Sequence, residues 1–207
     1  TGTFALGRLA GNDLAIDGTV AAAGSSATLA DITQPTGNIL QGATDVVLAG
    51  FSITPTVSVD FTDMTIDAAG TAIATDISNV RIFLDNDGNG AINGADAEVT
   101  GPGAQAYAAA MVFAGITSET GLTGITYYLV VADVAGAAVA GNTSTLSSNT
   151  FTTTATTNTG TFTGEERTIA APPGTSTITA GAGAEPATIS SLINTQGASV
   201  LNFDFVI

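Results

Sequence analysis

Apolar and polar residues alternate with a period of two through the middle of the chain, and turn-forming residues recur every ten or so positions. That combination predicts half-buried strands, because successive side chains of a strand point to opposite faces. Over 45–53, Val47, Ala49, Phe51 and Ile53 share one face; over 57–66, Val57, Val59 and Phe61 alternate with Ser58, Asp60 and Thr62. Val80, Ile82 and Leu84 alternate with Asn79, Arg81 and Phe83. Tyr107, Ala109, Met111 and Phe113 make a further face, and Ile125, Tyr127, Leu129 and Val131 another. Weaker strands are expected near 3–8, 13–20 and 26–32, and two exposed ones within 143–163. Helix has little support, since Gly interrupts nearly every window and no stretch sustains apolar residues at i, i+3, i+4 and i+7. At most a single helical turn is expected, at 94–98. The predicted fold is all-β: an immunoglobulin-like β-sandwich with antiparallel sheets, plus flanking strands available to a neighbouring subunit or module.

Three parts are expected. Residues 1–40 form an N-terminal β segment, with a break at Gln34-Pro35, and residues 41–171 form the sandwich proper. Residues 172–174 read as a linker, because the Pro172-Pro173 pair cannot continue a strand ladder. Residues 175–207 then supply further strands. In the last of these, Leu201, Phe203, Phe205 and Ile207 point one way while Val200, Asn202, Asp204 and Val206 point the other. A strand with one strongly apolar face cannot stand free in water, so 199–207 is expected to pair within its domain, with a neighbour, or with sequence beyond this chain. Thr1 stands where an initiator Met would, the expectation for a mature product or a fragment.

Charge changes the picture by exclusion. The 207 residues carry 18 acids against three cations, Arg8, Arg81 and Arg167, for a net charge of −15. Nucleic acid and anionic membrane surfaces are poor partners for such a chain, since phosphate binding needs clustered Lys or Arg. There is no His, Cys or Lys, so nucleophilic triads lack a base. A glycosidase needs paired carboxylates across a cleft, but with no Trp and three Tyr a sugar platform is thin. The expectation is no enzyme. With aromatics at 6%, the core is expected to rest on small β-branched side chains. No stretch approaches the ~20 continuous apolar residues of a membrane span.

One segment carries specific chemistry. Asp85-Asn86-Asp87-Gly88-Asn89-Gly90-Ala91-Ile92-Asn93-Gly94-Ala95-Asp96 fits the calcium-loop pattern of oxygen donors at alternate places, with a glycine at the sixth. The loop resembles those of EF-hand and dockerin-type proteins. That likeness implies side-chain oxygens from Asp85, Asp87 and Asn89, a backbone carbonyl from Ala91, Asn93 directly or through water, and Asp96 closing the site around Ca2+. Asp96 stands where sensor loops have a bidentate Glu, and a strand rather than a helix precedes the loop; both favour a static clamp over a switch. The alternative is a Gly/Asn-rich hairpin that holds no ion. Asp60, Asp63 and Asp67 are a lesser candidate for a second site, with solvated strand-face charges the simpler reading. Glu165 and Glu166 beside Arg167 read as an exposed edge decoration. Asn142-Thr143-Ser144 is a formal glycosylation sequon.

The run Gln41 to Ile53 resembles the opening of a β-sandwich repeat of large secreted bacterial surface proteins. The run Ile125 to Val134, followed by Ala140-Gly141-Asn142-Thr143, resembles its closing part. Residues 184–192, with Asn202 to Phe205, resemble the lead-in of another such module. These are exported adhesins and fibres of Bacteroidota-like bacteria. The resemblance implies an extracellular or cell-surface location and a non-catalytic role. The leading expectation is a structural subunit of a filament or surface fibre that assembles by β-strand addition. Its partners are then other copies, head to tail, or adjacent modules of the same protein. The alternative is a calcium-dependent adhesin or glycan-binding module, with Tyr107, Tyr127 and Tyr128 the available aromatics.

Overall fold

The computed structural model describes residues 24–174. Its strands are β1 (Ser26–Asp31), β2 (Ile39–Leu40), β3 (Val46–Pro55), β4 (Phe61–Gly70), β5 (Ile77–Asp85), β6 (Ala97–Glu98), β7 (Ala110–Ala114), β8 (Thr126–Val134), β9 (Thr143–Thr153), β10 (Thr157–Thr159) and β11 (Arg167–Ala170). No helix occurs among the described residues. The strands form a six-stranded sheet, β10-β1-β3-β8-β5-β6, and a five-stranded sheet, β2-β11-β9-β4-β7. Their inner faces enclose one hydrophobic core. The protein is an all-β sandwich, as its alternation requires. Each sheet is antiparallel except at one side, where β1 pairs with β10 and β11 with β2 in parallel.

Val, Ile, Ala and Leu make up most of the core, as expected, but its centre is aromatic. Phe51 stacks on Tyr128 and on Phe162 at centroid distances of 5.1 Å, and Phe61 meets Tyr128 edge-on at 5.5 Å. Few aromatics suffice because they are gathered in one place, and each such pair adds about 0.5–1.5 kcal/mol beyond its buried area.

Several facing assignments change. A bulge between Val47 and Ala49 places Leu48 in the core and leaves Val47 half-buried. Val57 precedes β4 and is exposed, whereas Val59 and Phe61 are buried. Ala109 lies before β7 and is also exposed. In β8 the core face is Tyr128, Val130, Ala132 and Val134, the opposite of the one expected. Leu129 and Val131 are nevertheless buried, since β8 is central and both its faces are covered. Part of that cover comes from Ile32. A Cβ on Gly50 would lie 2.6 Å from the Ile32 side chain, so the glycine leaves room for Ile32 to lie over β3 beside Leu129.

The expected boundary at residue 40 does not separate two units. β1 pairs with β3 from Ala27↔Pro55 to Asp31↔Phe51, and β2 pairs with β11. A strand supplying Ala27 and Leu29 to the core belongs to the sandwich. The chain divides instead into compact units Thr1–Ala170 and Ala171–Ile207. Of the second, 171–174 are described and carry no strand. The expected strands at 3–8, 13–20 and 199–207, with Leu201, Phe203, Phe205 and Ile207, lie outside the described residues.

Candidate metal centre

The loop 86–96 joins β5 to β6, which pair as a hairpin through Phe83↔Glu98 and Leu84↔Ala97. Residues 94–95 form a turn that leads into β6, so the helical turn expected over 94–98 is absent. Asp85 ends β5 with its side chain buried; Asp87 is exposed and Asp96 half-buried. Carboxylate oxygens of these three residues lie within 4.8 Å of one another. Their spacing thus brings together two strand ends and a loop tip.

Backbone amides hold the carboxylates in place. Gly90 N–H donates to Asp85 Oδ2 at 2.9 Å, and Asn89 N–H reaches Asp85 Oδ1 and Asp87 Oδ1, each at 3.2 Å. Asn93 N–H donates to Asp96 Oδ2 at 2.8 Å, and Asn86 N–H to Asp96 Oδ1 at 3.1 Å. Gly88 and Gly90 take φ of 66° and 75°, the left-handed turns that let these amides converge. The two asparagines also turn toward the cluster, since Asn89 Nδ2 and Asn93 Nδ2 donate to Asp87 Oδ2 at 2.7 and 3.1 Å. Their Oδ1 atoms accept from Ala91 N–H and Ala95 N–H, each two residues on. The Ala91 carbonyl faces Asn93 Nδ2 at 3.5 Å.

All six sequence-predicted positions therefore sit in one small loop. The donor set fits a hard divalent cation. Its core is three carboxylates, the hard oxygen ligands that Ca2+ takes; Asn89 and Asn93 present Nδ2 to Asp87 and would add their oxygens only with the amides turned over. Asn86 was not singled out from the sequence, yet its Nδ2 donates to Ala95 O at 2.7 Å and ties the start of the loop to its end. Tyr127 was not tied to the loop either. A Cβ on Gly88 would stand 3.3 Å from the Tyr127 ring, so the bare glycine backbone rests on that ring.

The other acids are engaged separately. Asp60 accepts from Gly121 N–H, Asp63 from Gly115 N–H and Asp67 from Asn149 Nδ2, at 2.8, 3.0 and 2.8 Å. The structure does not bring these three together. Glu165 and Glu166 are exposed, but Arg167 is buried, which corrects its reading as edge decoration. Tyr107 and Tyr128 are core residues that donate to Ser144 Oγ and Glu119 Oε2, both at 2.7 Å. Among the three tyrosines, Tyr127 alone is left partly exposed beside the loop.

No family model and no curated protein matches the chain. Solved structures do, one of them a crystal structure at pH 5.5 of a CaDoc0917 variant in complex with CaCohA2. It is 16% identical to this chain, aligns over 72% of it and 99% of its own length, and has a TM-score of 0.30. A likeness of that degree assigns neither a family nor a partner to this chain.

Proposed function

We propose that the chain is a non-catalytic structural module of an extracellular filament or cell-surface fibre, joined to its neighbours by β-strand addition and stiffened by one Ca2+. The observation that carries this reading is the edge of the five-stranded sheet. β7 pairs with β4 from Asp63↔Ala114 to Asp67↔Ala110, and no described strand pairs with its other side. Met111 and Phe113 point inward there, while Val112 is 55% exposed. Such an edge accepts a strand whose apolar face extends the core and whose backbone extends the ladder. The segment carrying Leu201, Phe203, Phe205 and Ile207 has that pattern.

Electron microscopy of the full chain tests the reading. Fibres are expected from the wild type and not from a chain lacking 199–207. Val112→Lys, a charge on an exposed edge position that leaves the core alone, is expected to leave monomers. Fibres from both variants, or a wild type that stays monomeric at high concentration, would overturn strand addition.

Calcium acts at the hairpin tip in this proposal, bonding the end of β5 through Asp85 and the approach to β6 through Asp96. Cation at a hundred times its dissociation constant adds about 2.7 kcal/mol to folding, which raises the melting temperature by roughly 5–10 °C for a domain of this size. Asp87→Asn, at an exposed ligand position, is expected to remove most of that rise. A melting curve unchanged between millimolar Ca2+ and chelator would sink the metal assignment.

A second reading, a calcium-dependent adhesin or glycan-binding module, is favoured by one observation. The partly exposed aromatic Tyr127 lies directly under the loop at Gly88.

A further inference from the structure

We propose that the cleft between residues 31–36 and the metal loop binds a neutral saccharide, with the cation fixing one of its walls. The inference rests on the second reading above. The cleft is an open groove of about 650 Å3, lined on one side by Asp31 to Thr36 and on the other by Gly88, Asn89 and Gly90. Ser52, Ile125 and Tyr127 complete the lining. That volume lies within the 300–1,000 Å3 range usual for ligand sites.

The lining chooses the ligand. No cationic side chain contributes to it, so phosphate, sulfate and carboxylate ligands find no side chain to neutralise them, and the cation's charge is already met by three carboxylates. Strand addition is blocked at Gly50, which the cleft-lining Gln34 covers. Where β1 ends, Gln34 takes over its pairing with β3: Nε2 donates to Gly50 O at 2.6 Å and Oε1 accepts from Gly50 N–H at 3.0 Å. Both backbone groups of Gly50 are thus taken by a side-chain amide, and an incoming strand finds no partner at that residue.

What remains is an amphipathic wall. The Tyr127 ring and Ile125, which is 54% exposed, offer apolar surface. Asp31, Thr33, Thr36 and Asn89 surround it with carboxylate, hydroxyl and amide groups. A pyranose presents the same pair of surfaces, a C–H face that lies on an aromatic ring and hydroxyls that exchange hydrogen bonds with polar rims. Calcium enters because Gly88 rests on the Tyr127 ring and Asn89 belongs both to the cleft and to the predicted ligand set. Ordering the loop orders the wall.

The test is binding of the full chain to an array of neutral gluco-, manno- and galacto-oligosaccharides, with melting curves recorded on the same protein. In 1 mM Ca2+ at least one series is expected to bind, and chelation is expected to weaken it at least ten-fold. Tyr127→Ala should weaken it comparably. Thr33→Met, a neutral enlargement on the wall opposite the metal loop and outside the ligand set, should do the same while the calcium-induced melting shift stays intact. Undiminished binding by Thr33→Met, undiminished binding in chelator, or no binding by protein that shows the calcium shift would each overturn the proposal. The last outcome leaves the calcium site standing. Loss of the calcium shift itself would sink the loop assignment and the cleft together.

Discussion

Replacing Asp76 by Asn is expected to destabilise the fold by about 3–5 kcal/mol, measured by denaturant unfolding at pH 7. Asp76 is 1% exposed, and it lies just before β5. Its Oδ1 accepts from Val139 N–H at 2.8 Å; its Oδ2 accepts from Asn142 Nδ2 at 2.8 Å and from Ile73 N–H at 3.1 Å. One carboxylate thus ties the loop between β4 and β5 to the loop between β8 and β9. The isosteric amide has an NH2 in place of one oxygen, and every orientation sets a donor against a donor. Bonds to a charged group contribute about 1.5–3 kcal/mol each, and leaving a buried donor unsatisfied costs about 1–3 more.

The pH dependence separates this cause from simple loss of packing. The Val139 amide, aided by Asn142 and Ile73 and opposed by burial, holds the Asp76 carboxyl below its ordinary value. Asp133 is depressed as well; burial opposes this, but the Asp45 amide, Asn79 and Arg81 outweigh it. A folded-state pKa below the unfolded value of about 3.9 gives stability that is complete above that value. It is lost as pH falls through the folded pKa. The gap between wild type and Asp76→Asn should therefore be full at pH 7 and narrow steadily below about pH 4. An equal gap at pH 7 and pH 3 would assign the loss to shape rather than to charge.

Asp76 illustrates what the sequence withholds. Nothing local marks it apart from the other acids, since its partners Val139 and Asn142 lie more than sixty residues away. The metal loop is legible for the opposite reason, because every ligand lies within twelve residues and the glycine positions are dictated by the turn. Fold class was legible in the alternation of β4, β5 and β7. The facing of β8 was not, because Tyr127 to Val134 is apolar on both faces of a central strand and alternation disappears where both faces are covered. Val47 lost its expected place to a bulge, and no residue pattern distinguishes a bulged strand from a regular one. β1 was visible as a strand but not as part of the sandwich. Its partners β3 and β10 are set by contacts as distant as Ser26↔Thr157. The cleft was invisible too, since it forms only when residues 31–36 fold beside the loop at 88–90.

Arg167→Met is expected to stabilise the domain by about 2–4 kcal/mol. Arg167 opens β11 and shares its inward face with the core residue Ile169. It lies across from Ser144, whose hydroxyl already accepts from Tyr107. The guanidinium is buried, and among the described residues neither Nε nor Nη1 has a hydrogen-bond partner. Burial pulls its pKa below the usual arginine value, with no acid among the described residues to counter it. Each unsatisfied donor of a buried charged group costs about 1–3 kcal/mol, and a lone ion in an apolar setting is costlier than a well-packed hydrophobe. Methionine keeps the length and packing of the arginine stem and removes both orphaned donors. Arg167→Lys retains a buried charge and should be no more stable than wild type. A methionine variant less stable than wild type would mean that the guanidinium is paired by a group outside 24–174, and the unfolding midpoints of the two variants decide between these outcomes.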